Sequence, residues 1–412
     1  MRVDMRKWAD VVQIISGKNQ KGVENPNGKY PIYGSGGIMG YADKFLCEAG
    51  TTIVGRKGTI NNPIFVNERF WNVDTAFGIS PGVQLNPRYL FFYCRHYNFQ
   101  QLDKSTTIPS LAKRDLLAIE MPVPSLFEQK RIVAKIEELF SELDSGVETL
   151  KTTKQQLAVY RQAVLKAAFE GRYTEGWRTS QSGKLAEKDL ECIRIHGAVF
   201  KDISGDENEM SLSLPKQWVE IRIGDVFTVE VGATPSRRVP EYWNGNVSWV
   251  SSGEVHFHEI SETAEHITQS GLARASTNVQ PIGTIMLAMI GEGRTRGQAA
   301  ILNVPAAHNQ NTAAILVSKT PCPPKFIYYF LQLNYENTRR VGSGNNQKAL
   351  NKERVRALRF PFAPFGEQRM IVSEIDSRLS VCDSIEKTVD AALQQAEAMR
   401  QSILNTAFAG KL

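Results

Sequence analysis

The sequence predicts an α+β protein with two pseudo-symmetric globular domains joined by two long helices that form an antiparallel coiled coil. Three observations predict this fold: an internal duplication, a seven-residue apolar period in each copy, and short β-rich runs that alternate with Gly, Asn and Pro. The length of 412 residues also exceeds what one hydrophobic core usually organises.

The duplication is visible as matched blocks at a constant offset. Residues 128–133 (EQKRIV) return as 367–372 (EQRMIV), an offset of 239 residues, and a second block near the end of each helix keeps that offset. Upstream the offset shrinks, which places an insertion of 16 residues between Gly253 and Gly283. The helical parts match better than the globular parts, as expected for one scaffold that presents two different binding surfaces. A duplication with uniform drift is the alternative.

Each copy ends in a long amphipathic helix. From 128 to 169 there is no Pro, and an apolar residue recurs every seventh position, which is typical of one coiled-coil seam. The second seam is weaker and passes through Gly146, so we expect the first helix to fray or kink in its middle. The residues predicted to pair the helices are Ile136, Leu143, Leu150, Leu157 and Val164 in the first copy and Ile375, Cys382, Val389, Ala396 and Ile403 in the second.

The pairing partner of each helix is predicted to be the other copy, in antiparallel orientation, because an isolated apolar stripe needs a second surface. The alternatives are packing of each helix on its own domain and homodimerisation through the same seams.

The globular parts show mixed secondary structure. We expect a largely antiparallel sheet in each, with short aromatic-rich helices at 87–96 and 324–333. The runs that predict strands are 52–54, 63–66, 284–287 and 300–302. The predicted segments are a first globular domain at 1–121, a first helical spacer region at 122–172, a connecting segment at 173–213, a second globular domain at 214–360 and a second helical spacer region at 361–412.

Composition narrows the class of protein. The formal charge of +6 and the pI near 8.9 fit a polyanionic partner without requiring one. The five cysteines have none of the paired spacings of zinc sites or small disulfide frameworks, so they indicate free thiols in a reducing cytoplasm. No apolar run is long enough to predict a membrane span, and a soluble cytoplasmic protein is expected.

The sequence argues against catalysis and against a bound metal or cofactor. The segment 291–296 has Arg where a dinucleotide fingerprint needs its last glycine, and 34–37 is not followed by the Lys-Ser or Lys-Thr of a phosphate loop. His256 and His258 lie on one face of a possible strand, but no third ligand is placed by spacing. Surface histidines are the expected interpretation.

Two pairs of loops are candidates for DNA contact. One loop in each copy places cations between glycines, so that backbone and side chains can approach a phosphate or a guanine edge closely. An exposed turn is the alternative. The candidate residues are Arg56, Lys57 and Thr59 in the first copy and Arg294, Arg296 and Gln298 in the second.

A second loop precedes each long helix and is rich in donors and acceptors suited to base edges. The two loops differ in sequence, as readers of different targets should, although turn formation or helix capping explains such residues equally well. The candidates are Lys104, Thr106, Thr107, Ser110 and Lys113 in the first copy and Asn345, Asn346, Gln347 and Lys348 in the second.

These features together resemble the specificity subunits of type I restriction-modification systems over essentially the whole chain. The resemblance is carried by the duplicated Glu-Gln motif at 128–129 and 367–368, by the segment 171–178 (GRYTEGWR), and by 214–218 (LPKQW) at the start of the second domain. The chain departs from some relatives in having no separate segment before the first domain, so the end at 410–412 is expected to lack a partner that they supply.

The resemblance implies a function that composition and spacing do not supply. Each globular domain would be a target recognition domain that reads one half of a bipartite double-stranded DNA sequence, with the helices as a spacer. Two methylation subunits using S-adenosylmethionine and a restriction/translocase subunit using ATP and Mg would be the partners, and this chain would be non-catalytic. The alternative is a coiled-coil scaffold that assembles partner proteins without reading DNA sequence.

Overall fold

The computed structural model describes residues 4–181, 185–195, 212–291, 293–340 and 349–412. The chain divides into two compact units: Met1–Lys154 with Lys387–Leu412, and Gln155–Glu386. Each unit holds one globular part and a stretch of both long helices. The α+β class predicted from the sequence is confirmed.

The first copy contains nine strands and four α-helices within its described residues. The helices are α1 (Trp8–Val11), α2 (Pro87–His96), α3 (Lys113–Leu117) and the long α4 (Leu126–Phe169). The strands are β1 (Met5–Lys7), β2 (Val12–Ser16), β3 (Tyr30–Gly34), β4 (Gly37–Ala42), β5 (Thr51–Gly55), β6 (Ile64–Val66), β7 (Trp71–Asn72), β8 (Ala76–Pro81) and β9 (Glu120–Pro122).

The second copy repeats this series with additions. Its helices, after the connecting α5 (Glu175–Ser180) and α6 (Leu185–Ile193), are α7 (Ile223–Val226), α8 (Gln269–Ala275), α9 (Pro324–Leu333), α10 (Tyr335–Arg340), α11 (Lys352–Ala357) and the long α12 (Phe365–Phe408). Its strands are β10 (Val219–Arg222), β11 (Val229–Val231), β12 (Trp243–Val250), β13 (His258–Ile260), β14 (Glu265–Ile267), β15 (Ile285–Ala288), β16 (Ala299–Leu302), β17 (Ala306–His308), β18 (Thr312–Ile315) and β19 (Arg359–Phe362).

The two copies share one sheet topology. In the first unit the strand orders are β2-β8-β5-β6, β4-β3-β7 and β1-β9, and in the second they are β11-β18-β15-β16-β13, β14-β12-β17 and β10-β19. Most neighbours are antiparallel; β3 with β7, β12 with β17 and β13 with β16 are parallel. The extra edge strand β13 and helix α8 lie between Gly253 and Gly283, where the sequence places the insertion.

The predicted aromatic-rich helices are confirmed as α2 and α9. Each begins with a proline, which has no backbone N–H to leave unpaired and a φ suited to a helix start. A glycine with positive φ packs beside each proline: Gly50 (φ +82) beside Pro87 and Gly283 (φ +81) beside Pro324. The same contact therefore packs the start of a strand against the start of a helix in both copies.

The glutamine of the duplicated Glu-Gln motif ties each long helix to its globular part. Gln129 is fully buried, accepts a hydrogen bond from the Asn86 N–H (2.7 Å) and donates one to the Pro124 carbonyl (2.8 Å). Gln368 is equally buried and donates to the carbonyl of Ala363 (2.7 Å), the counterpart of Pro124.

The far end of each long helix packs into the core of the unit that holds the other copy. Phe408, near the end of α12, lies 5.2 Å between ring centroids from both Tyr89 and Tyr93 of α2. Phe169, at the end of α4, contacts Phe326 (5.1 Å) and Phe330 of α9 in the same way. The hypothesis that each helix packs only on its own domain is therefore wrong.

Within each unit the two long helices run antiparallel. In the first unit Lys154 pairs with Asp390 (2.8 Å) and Arg400 pairs with Asp144. In the second unit Arg161 pairs with Asp383 (2.7 Å) and Glu386 (2.9 Å). As the residue number rises along α4 it falls along α12, which defines the antiparallel register.

The predicted seam positions are buried to different degrees. Leu143, Leu150 and Ile403 are half-buried, and the other seven are buried. Helix α4 runs from Leu126 to Phe169 without a break at Gly146, so the predicted fraying is wrong. Ion pairs at Asp144 and Lys154 hold the partner helix on both sides of that glycine.

The connecting segment differs from the surface connection that the sequence predicts. Helix α6 buries Ala186 and Leu190 in the core of the second unit, and the Asp189 carboxylate accepts a hydrogen bond from the Phe365 N–H at the start of α12 (2.8 Å). The polar composition of the connecting segment did not reveal that it contains an amphipathic helix. No described helix is long and apolar enough to cross a membrane.

The glutamate of the Glu-Gln motif has different surroundings in the two copies. Glu367 is fully buried and accepts hydrogen bonds from Trp218 Nε1 (2.9 Å), Thr174 Oγ1 (2.6 Å) and Arg178 Nη1. Glu128 is partly exposed and pairs with Arg131 (2.6 Å), which holds the pKa of its carboxyl below the usual value. The glutamate of the motif therefore belongs to a buried hydrogen-bonded cluster in the second unit and to a surface ion pair in the first.

We predict that Glu367→Gln destabilises the second unit by about 3–5 kcal/mol, because it leaves the buried Arg178 guanidinium without its counter-charge. Chemical denaturation followed by tryptophan fluorescence measures this loss. Glu128→Gln, the matched change in the first copy, is expected to leave the unfolding midpoint unchanged. Equal effects of the two substitutions would contradict the assignment.

Candidate nucleic-acid interface

The two candidate loops of the first copy meet and form one surface. The Gly58 N–H donates to the Pro109 carbonyl (2.9 Å), and the Leu111 N–H donates to the Arg56 carbonyl (2.9 Å). Lys57 and Ser110 form an isolated antiparallel bridge between the loops. Side chains that are about 50 residues apart in sequence therefore lie side by side.

Most candidate residues on this surface are exposed. Ser110 is half-buried, and the exposed ones are Arg56, Lys57, Thr59, Lys104, Thr106, Thr107 and Lys113. Asp103 fixes the second loop: its carboxylate accepts hydrogen bonds from Ser105 Oγ (2.6 Å) and from the Ser110 N–H (3.0 Å), which lower its pKa and keep it ionised. The loop has a defined backbone before any ligand binds.

The cations of this surface differ in whether they are already paired with a carboxylate. Lys104 and Arg114 both pair with Asp115, and the hydrogen bond from Lys104 is the main reason that the pKa of Asp115 is lowered. Lys57 and Lys113 form no ion pair with any described residue. These two ammonium groups are the ones most free to bind a phosphate.

The corresponding loop of the second copy is a tight turn between β15 and β16. Gly297 has a positive φ (+85), its N–H donates to the Ala288 carbonyl (2.9 Å), and the Gln298 N–H donates to the Thr295 carbonyl (3.0 Å). Helix α10 holds the turn from outside, because the Tyr335 hydroxyl donates to the Arg294 carbonyl and Arg339 Nη2 donates to the Gly293 carbonyl.

The loops of the two copies are equivalent, but their candidate residues are not. The Leu350 N–H donates to the Met289 carbonyl (3.0 Å), as the Leu111 N–H does to that of Arg56, so Met289 is the structural counterpart of Arg56. Arg294 and Arg296 lie further along the loop than the sequence comparison suggests.

The candidate side chains of the second copy lie in three environments. Arg294 is exposed, Gln298 is half-buried, and Arg296 is only 9% exposed, so Arg296 is not the surface cation that its glycine-flanked position predicts. Gln298 Oε1 is 3.0 Å from His256 Nδ1. Asn345, Asn346, Gln347 and Lys348 lie outside the described residues.

Sequence reasoning missed three residues that shape this loop: His256, Tyr335 and Arg339. Each is about 40 residues from the side chain or carbonyl that it contacts, and no motif signals such a contact. The two histidines of the 256–258 segment are both exposed, as expected. No described group of three or more His, Cys, Asp or Glu residues could hold a metal ion.

Comparison with known proteins places this architecture among the proteins that the duplicated motifs resemble. The sequence matches the family described as "Type I restriction modification DNA specificity domain" at residues 2–157 and again at 215–395. The two matched segments coincide with the two structural copies.

Similar characterised proteins and solved structures agree with this match. The type I restriction enzyme EcoBI specificity subunit of Escherichia coli is 24% identical, over 87% of this chain and 73% of the relative. The EcoDI specificity subunit of Escherichia coli is 22% identical, over 98% and 87%. A chain solved in work on complex assembly and conformational transition of the type I R-M system has the same fold, with a TM-score of 0.72, 16% identity and coverage of 99% and 98%.

We predict that Lys57→Ala and Lys113→Ala each weaken binding to duplex DNA and reduce the slope of log affinity against log salt by about 1, because each removes one phosphate contact. Fluorescence anisotropy at several salt concentrations measures both quantities. Lys151→Ala, which removes an exposed lysine from α4, is the matched control and should change neither. Equal slopes for all three variants would contradict a role of this surface in DNA binding.

Proposed function

This chain belongs to the type I restriction-modification DNA specificity family, and from that premise we propose that it recognises a bipartite DNA target and directs methylation and restriction subunits to it. The two globular copies each read one half of the target, and α4 with α12 sets the distance between the halves. The observation that carries the proposal is the pair of equivalent loops, which have the same backbone anchor and different side chains.

That loop pair supports two readers of different sequence. The buried Met289 replaces the exposed Arg56 at the anchored position, although the hydrogen bond that fixes the backbone is retained. Two half-sites of different sequence require loops with the same backbone and different side chains, because base edges are distinguished by the donors and acceptors that face them.

The chain itself is a non-catalytic subunit, as its relatives are specificity subunits and not the catalytic components. We assign the chemistry to the partners: S-adenosylmethionine to two methylation subunits, and ATP with Mg to a restriction/translocase subunit. The complex would act in the cytoplasm, where the DNA is.

Two equivalent grooves between the long helices support the number of methylation subunits. The groove of the first unit, about 400 Å³, includes Leu143 and Ala396; that of the second, about 590 Å³, includes Cys382 and Leu157. These residues correspond at the offset of 239, Leu143 with Cys382 and Leu157 with Ala396. Two copies of one apolar surface fit two copies of one partner.

Adenine methylation tests the proposal directly. A host that expresses this chain with its methylation partner should acquire a split methylated motif that is absent with the partner alone. Replacing residues 1–120 by the domain of a relative should change one half of the motif and leave the other. Methylation at the same sites without this chain, or none from a soluble complex, would favour the scaffold function instead.

We predict that a matched shortening of both helices moves the half-sites closer. Residues 147–153 and 391–397 face each other in the antiparallel register, and removing both shortens the pair by about 10 Å, or about three base pairs. The methylated motif should lose about three bases from its gap, or methylation should stop. Removing only one heptad breaks the register and serves as the control; an unchanged gap with both removed would contradict the spacer role.

A further inference from the structure

The loop between β15 and β16 holds a buried guanidinium without a counter-charge. Arg296 is 9% exposed, and its Nε is sealed from solvent with no hydrogen-bond partner. No described residue forms a hydrogen bond or an ion pair with this guanidinium. Two glycines with positive φ, Gly291 and Gly297, flank the turn that carries it.

A buried N–H without a hydrogen-bond partner costs stability, because Arg296 Nε loses its hydration and gains no partner in return. Unsatisfied groups of this kind are expected at functional sites, where a ligand can supply the missing interaction. Two hydrogen bonds hold the described part of the turn, from the Tyr335 hydroxyl to the Arg294 carbonyl and from Arg339 to the Gly293 carbonyl. The cost of ordering the turn is thus met before the ligand arrives.

The ligand that fits is an anion. Three guanidinium groups, those of Arg294, Arg296 and Arg339, belong to this turn or contact it, and no described carboxylate pairs with any of them. Arg339 also packs against the turn, since a Cβ on Gly297 would lie 3.1 Å from its Cγ. A phosphate brings a negative charge to these guanidinium groups, whereas a guanine edge is neutral.

We propose that Arg296, with Arg294 beside it, binds a DNA backbone phosphate in the half-site read by the second unit. This inference rests on the proposed function, because it names the DNA group that the second reader holds. The first unit presents its cations on the surface, whereas the second keeps one buried and unpaired until DNA binds.

Arg296→Met tests the proposal because two measurements should move in opposite directions. In the full chain with its methylation partner, affinity for a duplex that carries the methylated motif should fall about tenfold or more, and the salt slope should fall by about 1. The bases of the motif should stay the same. Without DNA, the variant should unfold at a higher temperature than the wild type, because the buried charge is gone.

Arg294→Met is the matched control: it removes an exposed guanidinium from the same turn, so it should weaken binding without raising the unfolding temperature. Wild-type affinity of Arg296→Met, a lower unfolding temperature or failure to fold, or an altered base preference would each overturn the phosphate assignment, the last in favour of a guanine contact. A wild-type complex that selects no DNA motif would count against the proposed function itself.

Discussion

The structure depends on an exchange in which each long helix begins beside one globular copy and ends in the core of the unit that holds the other. Phe169 and Phe408 make these terminal contacts with aromatic residues of α9 and α2. A helix of 44 residues with a narrow apolar stripe cannot bury that stripe alone. The exchange gives each helix an anchor at both ends and makes the antiparallel partner available along its length.

The same constraint explains which parts of the two copies diverged. Gln129 and Gln368 hold the helix starts, and the glycine–proline contacts at α2 and α9 pack the sheet against the helix, with the same residue types in both copies. The loops after β5 and β15 need only a backbone anchor, which Leu111 and Leu350 supply. Side chains beyond the anchor are free to vary. The side chains of these loops can therefore differ between the two copies without a change in the backbone that supports them.

Local patterns were sufficient to predict the long helices, α2, α9 and the strands β5, β6, β15 and β16, because each has its own period or start signal. Long-range contacts were not predictable. The bridge between Lys57 and Ser110 depends on how the sheet and the loop before α3 pack. The burial of Arg296 was not predictable for the same reason: cations between glycines are typical of an exposed turn, and the contacts of this turn with α10 are long-range.

Net charge alone says little about where such a protein binds an anion. Many of its cations are neutralised in place, among them Arg88 by Glu137 and Arg161 by two carboxylates of α12. In the candidate loops, the exposed cations Lys57, Lys113 and Arg294 form no ion pair with a described carboxylate. A few phosphate contacts per reader give weak binding when each reader acts alone. When the two globular domains are joined, binding of one half-site makes binding of the other intramolecular. A mildly basic chain can therefore still bind a long site tightly.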